Sequence, residues 1–283
     1  MVTGKNNPEY TSNFLGEMIG TLILVFWGCG SIAVTILFSS HSGLFQIAAI
    51  WGISVALAIY ATRHISCAHL NPAVSIAMVT AGRMAPRKLF SYLLGQFTGA
   101  LLAALLLYIL FSSSIAQFES INGILRGSPD SVKTAMIFGD FYPNPGLGLG
   151  YGITVSTMNT FLAEMVGTFA LVFLIFSLTD GCNVGRPDDS LSPLFIGLSI
   201  TIIISVIAPL TQAGLNPARD LSPRLFAYLV GWKGAAFPDT HWGFLTVYVL
   251  GPVVGGVLAA LLFEKIVKPI MSNKSNLKTC KCS

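Results

Sequence analysis

Two copies of one tripeptide, Asn71-Pro72-Ala73 and Asn216-Pro217-Ala218, carry the clearest chemical signal in the sequence. Each heads a short apolar stretch and follows a brief segment of small and polar residues. An Asn before Pro marks a helix start: its amide caps free backbone N–H groups, and Pro takes the first helical position, where a missing N–H costs nothing. Each apolar run gives out after about ten residues, roughly 15 Å of helix and half of a ~30 Å hydrocarbon core. Two such half-helices, entering a bilayer from opposite sides and meeting at their capped N-termini, would span it together. The junction would gather the positive ends of two helix dipoles and two amide donors, which repels cations and turns the lone pairs of a passing oxygen toward it. Non-helical backbone at membrane depth is tolerated where it lines a cavity. Cys67, Ala68 and His69 before the first copy, and Gln212 and Gly214 before the second, are therefore expected to present a ladder of carbonyl acceptors.

Three ionisable residues stand out against the apolar background. Arg219 lies one helical turn beyond Asn216, whereas its counterpart in the first copy is Val74. An Arg at membrane depth is costly, so it is expected to form a selectivity constriction, with bracing of the adjacent loop as the alternative. Glu17 and Glu164 sit at equivalent places inside apolar runs. They suit either a proton relay or the bracing of strained backbone N–H groups in the two lead-in segments. His69 reads as a satisfied buried imidazole, and Cys67 as a thiol near the cavity wall.

The elements that position these residues follow from composition. Apolar residues make up 53% of the 283, and 10% are charged; with a mean hydropathy of +0.73, this excludes an ordinary soluble domain and points to a polytopic membrane protein. Low-charge apolar stretches place six spans at about 14–38, 44–63, 87–111, 160–179, 193–210 and 242–267. Phe14-Leu15-Gly16-Glu17-Met18-Ile19-Gly20-Thr21 matches Phe161-Leu162-Ala163-Glu164-Met165-Val166-Gly167-Thr168, so the chain is an internal duplication. Each half holds three spans, an odd number, which makes the repeat inverted. The expected fold is an all-α membrane protein of six transmembrane helices plus two re-entrant half-helices. Its parts are an N-terminal segment 1–13, a first repeat 14–111, a connecting loop 112–159, a second repeat 160–267 and a tail 268–283.

Positive charge orients the chain. Lys5, Arg83, Arg87, Lys88, Arg186, Lys265, Lys268, Lys274, Lys278 and Lys281 fall on one side, against chiefly Arg126, Lys133 and Lys233 on the other, so both termini are expected to be cytoplasmic. The N-terminus lacks signal-peptide design, and Asn273-Lys274-Ser275 is a sequon on the silent side. Basic residues without interleaved aromatics exclude a nucleic-acid surface. Cys29, Cys67 and Cys182 are scattered, and the closely spaced Cys280 and Cys282 offer two ligands without His or further Cys, a weak metal site. The pairs Gly95/Gly99 and Gly251/Gly255 read as close helix crossings.

The duplicated Asn-Pro-Ala motif, the Ala68-His69-Leu70 lead-in, the paired Glu-x-x-Gly-Thr segments and Asn216-Pro217-Ala218-Arg219-Asp220 resemble the aquaporin or major intrinsic protein family, from about residue 10 to 267. Asp220 after Arg219 is similar to its glycerol-facilitator branch. The resemblance implies an aquaporin-like fold in a cell membrane, a homotetramer with one pore per subunit, no cofactor and a bracing role for Glu17 and Glu164. It also implies that Trp51, Ile204 and Ala213 complete the filter around Arg219. Ala213 stands where the glycerol facilitator has a bulky aromatic, Ile204 where it has Gly, and Tyr248-Val249 replaces a Pro-Leu pair; the combination is similar to that of some plant nodulin-type and bacterial members. Such a filter is apolar and wide on one side, which suits the carbon backbone of a small polyol.

The sequence therefore points to a passive channel for water and small uncharged polyols such as glycerol, excluding protons and ions. Two alternatives stand beside it: a secondary active transporter built on broken helices, and a family member tuned to water, urea or metalloid acids. An intramembrane enzyme is disfavoured, because no Ser-His or paired-carboxylate set converges on the midplane.

Overall fold

The structure, a computed structural model, describes residues 8–146, 154–237 and 242–275. Lys5, Lys278, Cys280, Lys281 and Cys282 lie outside the described residues. Eight helices carry the architecture: α1 (Pro8–Phe38), α2 (Leu44–Thr62), α3 (Pro72–Thr80), α4 (Leu89–Ile121), α5 (Thr157–Thr179), α6 (Ser192–Thr211), α7 (Pro217–Ala227) and α8 (Gly243–Asn273). Six of them, all but α3 and α7, are long and apolar enough to cross a membrane. Large apolar side chains such as Phe90, Ile109, Ile202 and Val206 cover their outer faces, as a lipid-facing surface requires.

The packing repeats itself about a pseudo-two-fold axis. α1 packs on α2 and α4, and α5 packs in the same way on α6 and α8. The halves then interlock: α3 lies against α8, α7 against α4, and α2 against α6. Each half-helix is thus held by the last span of the other repeat.

Small residues set how closely these helices approach. A Cβ on Gly95 or Gly99 would meet the Phe14 or Met18 carbonyl oxygen at 2.5 and 2.2 Å, and one on Gly255 would meet that of Met165 at 2.1 Å. The α2/α6 crossing, which no sequence motif marks, is reciprocal: a Cβ on Gly52 would lie 2.3 Å from the Gly197 carbonyl oxygen, and one on Gly197 would lie 2.4 Å from that of Gly52. The two backbones approach closely there, with Thr201 and Ala56 as the flanking side chains.

The helices outrun the apolar windows that reveal them. α1 begins at Pro8, and the last span continues to Asn273 through two π-helical turns, Thr246–Leu250 and Phe263–Val267. The largest difference is in α4, which runs to Ile121 where a loop was expected to begin at 112. Its extra turns contain Ser112-Ser113-Ser114 and Glu119, which end the hydropathy signal. They stay helical because Ile115 is fully buried and Glu119 accepts from Arg126 Nη2 at 2.8 Å and from Thr134 Oγ1 at 2.7 Å.

Candidate functional site

Both half-helices open as their sequences require. Asn71 Oδ1 accepts from the Ala73 N–H at 2.8 Å; Asn216 Oδ1 accepts from the Ala218 and Arg219 N–H groups at 3.0 and 3.2 Å. Pro72 and Pro217 occupy the first turns. At 9 and 11 residues the half-helices fall short of a span. Their N-termini meet: Asn71 Nδ2 donates to the Leu215 carbonyl oxygen and Asn216 Nδ2 to that of Leu70, each at 2.8 Å.

The lead-in segments are strained in register with each other. Ala68 and Leu70 have φ of 51° and 56°; Ala213 and Leu215 have 62° and 53°, and Gln212 joins them at 62°. A left-handed conformation costs a non-glycine residue about 1–2 kcal/mol, and it persists only where the surroundings enforce it. The buried glutamates do so. Glu17 accepts from the Ser66 hydroxyl, the His69 and Leu70 N–H groups and Gln96 Nε2, at 2.6 to 3.0 Å. Glu164 accepts from the Thr211 hydroxyl and the Gly214 and Leu215 N–H groups, at 2.6 to 2.9 Å. With those N–H groups anchored, the alternating left-handed residues leave carbonyls free to face the other way. Neither carboxylate lines the cavity beside the junction.

That cavity has a volume of about 400 Å³ and is bounded by Asn71, Asn216, Val74, Leu24, Leu171 and residues of both lead-ins. Cys67, Ala68, His69, Ala213 and Gly214 all line it. Gln212 does not: it borders a neighbouring cavity of about 310 Å³, which shares Trp51 and Ile204 with the first, and its side chain accepts from the Phe141 N–H at 2.8 Å. His69 Nδ1 lies 3.2 Å from Ser75 Oγ and its ring centroid 4.7 Å from that of Tyr92. Cys67 is exposed, and its N–H donates to Tyr92 Oη at 3.1 Å.

Trp51, Ile204, Ala213 and Arg219 come together in this wall, all buried. The Arg219 guanidinium carbon sits 4.6 Å over the Trp51 ring, a cation–π geometry. Trp51 in turn fills the space left by Gly28, where a Cβ would strike its ring at 2.3 Å. Arg219 Nη2 pairs with Asp140 Oδ1 at 3.0 Å, while Arg219 Nη1 has no hydrogen-bond partner among the described residues. One arm of the guanidinium is therefore paired, the other is buried without a partner among the described residues, and Arg219 lines the cavity.

Two parts of the site were not anticipated. Asp140 comes from the connecting segment, outside either repeat, and no motif flags it. Asp220, noted in the sequence only as a family marker, forms a buried pair with Arg224 at 2.6 Å and accepts from the Asp140 N–H at 2.8 Å. At the far end of the cavity Arg83 bridges Asp180 and Glu264, each at 2.6 Å, beneath the Phe176 ring at 4.0 Å. Among the described residues no group of His, Cys, Asp and Glu is placed to hold a metal ion.

Comparison with known proteins places this arrangement. The glycerol uptake facilitator protein of Pseudomonas aeruginosa is 40% identical over 261 residues, 92% of this chain and 90% of the relative. The propanediol uptake facilitator PduF of Salmonella typhimurium is 35% identical over 263 residues, 92% of this chain and 96% of the relative. The X-ray structure of the aquaglyceroporin from Plasmodium falciparum superposes with a TM-score of 0.79, covering 93% of this chain and 99% of that one; at 24% identity it shows the shared fold. The model of the family described as "Major intrinsic protein" matches residues 5–263. By that match and by the paired half-helices that meet at Asn71 and Asn216, the chain belongs to the major intrinsic protein family.

Proposed function

We propose that this protein is a passive transmembrane channel that conducts water and small uncharged polyols such as glycerol and excludes protons and ions. The observation that carries this reading is the crossed pair of amides: Asn71 and Asn216 each spend one N–H on the opposite lead-in and both line the cavity. Their remaining donors and the two helix dipoles favour an oxygen and disfavour a cation at the junction. A water held by both amides has its lone pairs committed, so a proton finds no continuous hydrogen-bonded file. The lead-in carbonyls take the hydroxyl protons of a passing molecule on either side.

Arg219, Trp51, Ile204 and Ala213 act as the filter in this reading. The Arg219 guanidinium supplies the cationic donors of this wall to hydroxyl or water oxygen, and the Trp51 face with Ile204 takes the carbon backbone. The small Ala213 leaves width for it. The relatives named for glycerol and propanediol uptake support uncharged polyols as permeants. Positive charge on Arg83, Arg87, Lys88, Arg186, Lys265 and Lys268 supports cytoplasmic termini, and family membership supports a homotetramer in a cell membrane with one pore per subunit. Glu17 and Glu164 act as braces, and among the described residues Asp189 is the one carboxylate that lines the cavity beside the junction, with no second one to form a coupling-ion site, which favours a channel over a coupled transporter.

The test is stopped-flow light scattering on proteoliposomes, comparing water and glycerol permeability of the protein with those of empty liposomes and of an Arg219→Val variant. Both permeabilities are expected to exceed the empty control, and uptake is expected to survive collapse of ion gradients by an ionophore. Glycerol permeability equal to that of empty liposomes beside fast water flow would overturn the polyol assignment; uptake abolished by the ionophore would overturn the channel.

A further inference from the structure

The cavity carries further cationic groups at the end away from the filter. Arg63 directly follows the last turn of α2 and lines the cavity wall. It stands twelve residues beyond Trp51 in the chain, about 18 Å along the helix axis. Its Nη1 donates to the Asp189 carbonyl oxygen at 2.6 Å, and Tyr60 Oη donates to that of Ser190 at 2.7 Å, so the rim segment before α6 is fixed to α2. Arg83 reaches the same cavity from the turn after α3. Its Nη2 and Nε are taken by Asp180 and Glu264, and its side chain is 20% exposed.

The two guanidiniums differ in how their charge is answered. Asp180 and Glu264 pair with Arg83, and neither lines the cavity. Asp189 does line it, and its carboxylate pairs with Arg186. Arg63 has no carboxylate within ion-pair distance among the described residues; its one hydrogen-bond partner is a backbone carbonyl. A cation at the end of a helix is favoured by the dipole, which accounts for a basic residue there but not for one that lines the cavity. Ser192 and Pro193, the first residues of α6, line the same end and add the positive pole of that helix. The remaining donors of Arg63, with Arg83 Nη1, are free for a ligand, and the planar fork of a guanidinium matches the oxygens of a phosphate.

We infer that this end of the cavity is a site for small oxyanions of the phosphate monoester class, and that an occupant held by Arg63 and Arg83 blocks the path. The inference rests on the channel reading above. A phosphate ester of a small polyol suits the site in both its parts. Its phosphate meets the guanidiniums, and its hydroxyls point into the path that admits the free polyol. The phosphate stays at the rim, because the walls beyond it are Val55, Ile59, Ile175 and Ile196, which would strip its water without replacing the hydrogen bonds. A neutral polyol has no such group to hold it there.

The experiment reads glycerol and water permeability of the full chain in phosphatidylcholine proteoliposomes, with glycerol phosphate at equal concentration on both faces and chloride of matched ionic strength as the control. Both permeabilities are expected to fall by half at a roughly millimolar concentration, and inorganic phosphate, which lacks the polyol end, is expected to block less well. In Arg63→Gln the half-blocking concentration is expected to rise about tenfold, and Arg63→Lys, which keeps the charge, is expected to fall between. No block of the wild type up to about 50 mM overturns the inference. So does a block that Arg63→Gln leaves unchanged, since the site would then lie elsewhere. Should Arg63→Gln fail to insert, the wild-type comparison of ester with chloride and the Arg63→Lys variant decide in its place. In vesicles that contain phosphatidylglycerol, a wild-type permeability already lowered without ester, and restored by Arg63→Gln, would assign the site to a lipid headgroup and overturn the soluble ester. Permeability at the level of empty liposomes before any phosphate is added would instead sink the channel reading itself.

Discussion

Asn71 donates to the Leu215 carbonyl oxygen at 2.8 Å, a bond that crosses from the first repeat to the second and is answered by Asn216 to Leu70. Each Asn therefore does two jobs at once. Its oxygen starts its own half-helix, and its nitrogen fixes the strained lead-in of the other. The junction is a reciprocal clasp, so neither half can set its own geometry alone.

An Asn71→Asp variant separates those jobs. The carboxylate still caps the Ala73 N–H, but it cannot donate to Leu215, and it places a negative charge where the dipoles were positive. Stability is expected to fall by about 1–3 kcal/mol for the orphaned buried acceptor. Cation and proton leak, read with a pH-sensitive dye trapped in proteoliposomes, is expected to rise. A variant that melts with wild-type stability and stays proton-tight would show that the clasp contributes neither.

The buried glutamates predict an effect on folding more than on permeation. Glu164→Ala removes the acceptor for the Thr211 hydroxyl and the Gly214 and Leu215 N–H groups. Each unsatisfied buried donor costs about 1–3 kcal/mol, and the left-handed Ala213 and Leu215 are then held only by the Thr211 hydroxyl and the Asn71 amide. Thermal unfolding in detergent is expected to shift strongly downward. Glu164→Gln, which keeps one carbonyl acceptor, is expected to fall between. If Glu164→Ala unfolds like wild type but loses activity with a shifted pH profile, a proton-relay role would replace the brace.

What could be read from the sequence is what the duplication wrote twice. The Asn-Pro-Ala pair and the odd number of spans per half pointed to the half-helices and their meeting point, and the paired Glu17 and Glu164 pointed to carboxylates beside both lead-ins, because each signal checked the other. Features formed between the halves were harder to see. Gly52 and Gly197 stand one per repeat, with no spacing motif around them, and only the packed structure shows their backbones touching. Asp140 belongs to neither repeat, and a carboxylate in a connecting loop reads as solvated until a buried Arg is found beside it. Gln212 was expected in the carbonyl ladder as the first residue of its lead-in; the residue borders the neighbouring cavity, a placement that the sequence of the lead-in does not show. The α4 extension was hidden because hydropathy cannot anticipate that Arg126 neutralises Glu119.

Gly52→Ala tests the crossing on the pseudo-two-fold axis. Its Cβ would lie 2.1 Å from Thr201 Oγ1 and 2.3 Å from the Gly197 carbonyl oxygen. The hydroxyl can rotate away, but the carbonyl belongs to a packed helix and cannot. Overpacking of this kind costs about 1–3 kcal/mol. Trp51 is the adjacent residue, so the spreading of α2 from α6 is expected to change the water-to-glycerol ratio as well. Gly30→Ala, where the nearest atom is Leu107 Cδ2 at 3.5 Å, is the control expected to leave both unchanged. Equal melting curves for the two variants would refute the close crossing.

The far end of the cavity yields a pH prediction. Asp180 pairs with Arg83 at 2.6 Å and with Lys268 at 3.5 Å, and its Oδ1 accepts from the Cys182 N–H at 2.9 Å. Burial alone would raise its carboxyl, but the Cys182 N–H and the charges of Arg83 and Lys268 outweigh this, and it lies below its ordinary value of 3.8. A depressed folded value means that the unfolded chain binds the proton first. The stabilisation is therefore complete above the unfolded value and is lost as pH falls through the folded one. Asp180→Asn is expected to cost about 1–3 kcal/mol near neutral pH, in the range for hydrogen bonds to charged groups. In thermal unfolding series the gap between wild type and variant should be constant from about pH 7 to pH 5 and close below about pH 4. A gap that persists unchanged in acid would mean that Asp180 ties α3, α5 and α8 together by shape, with its charge contributing nothing.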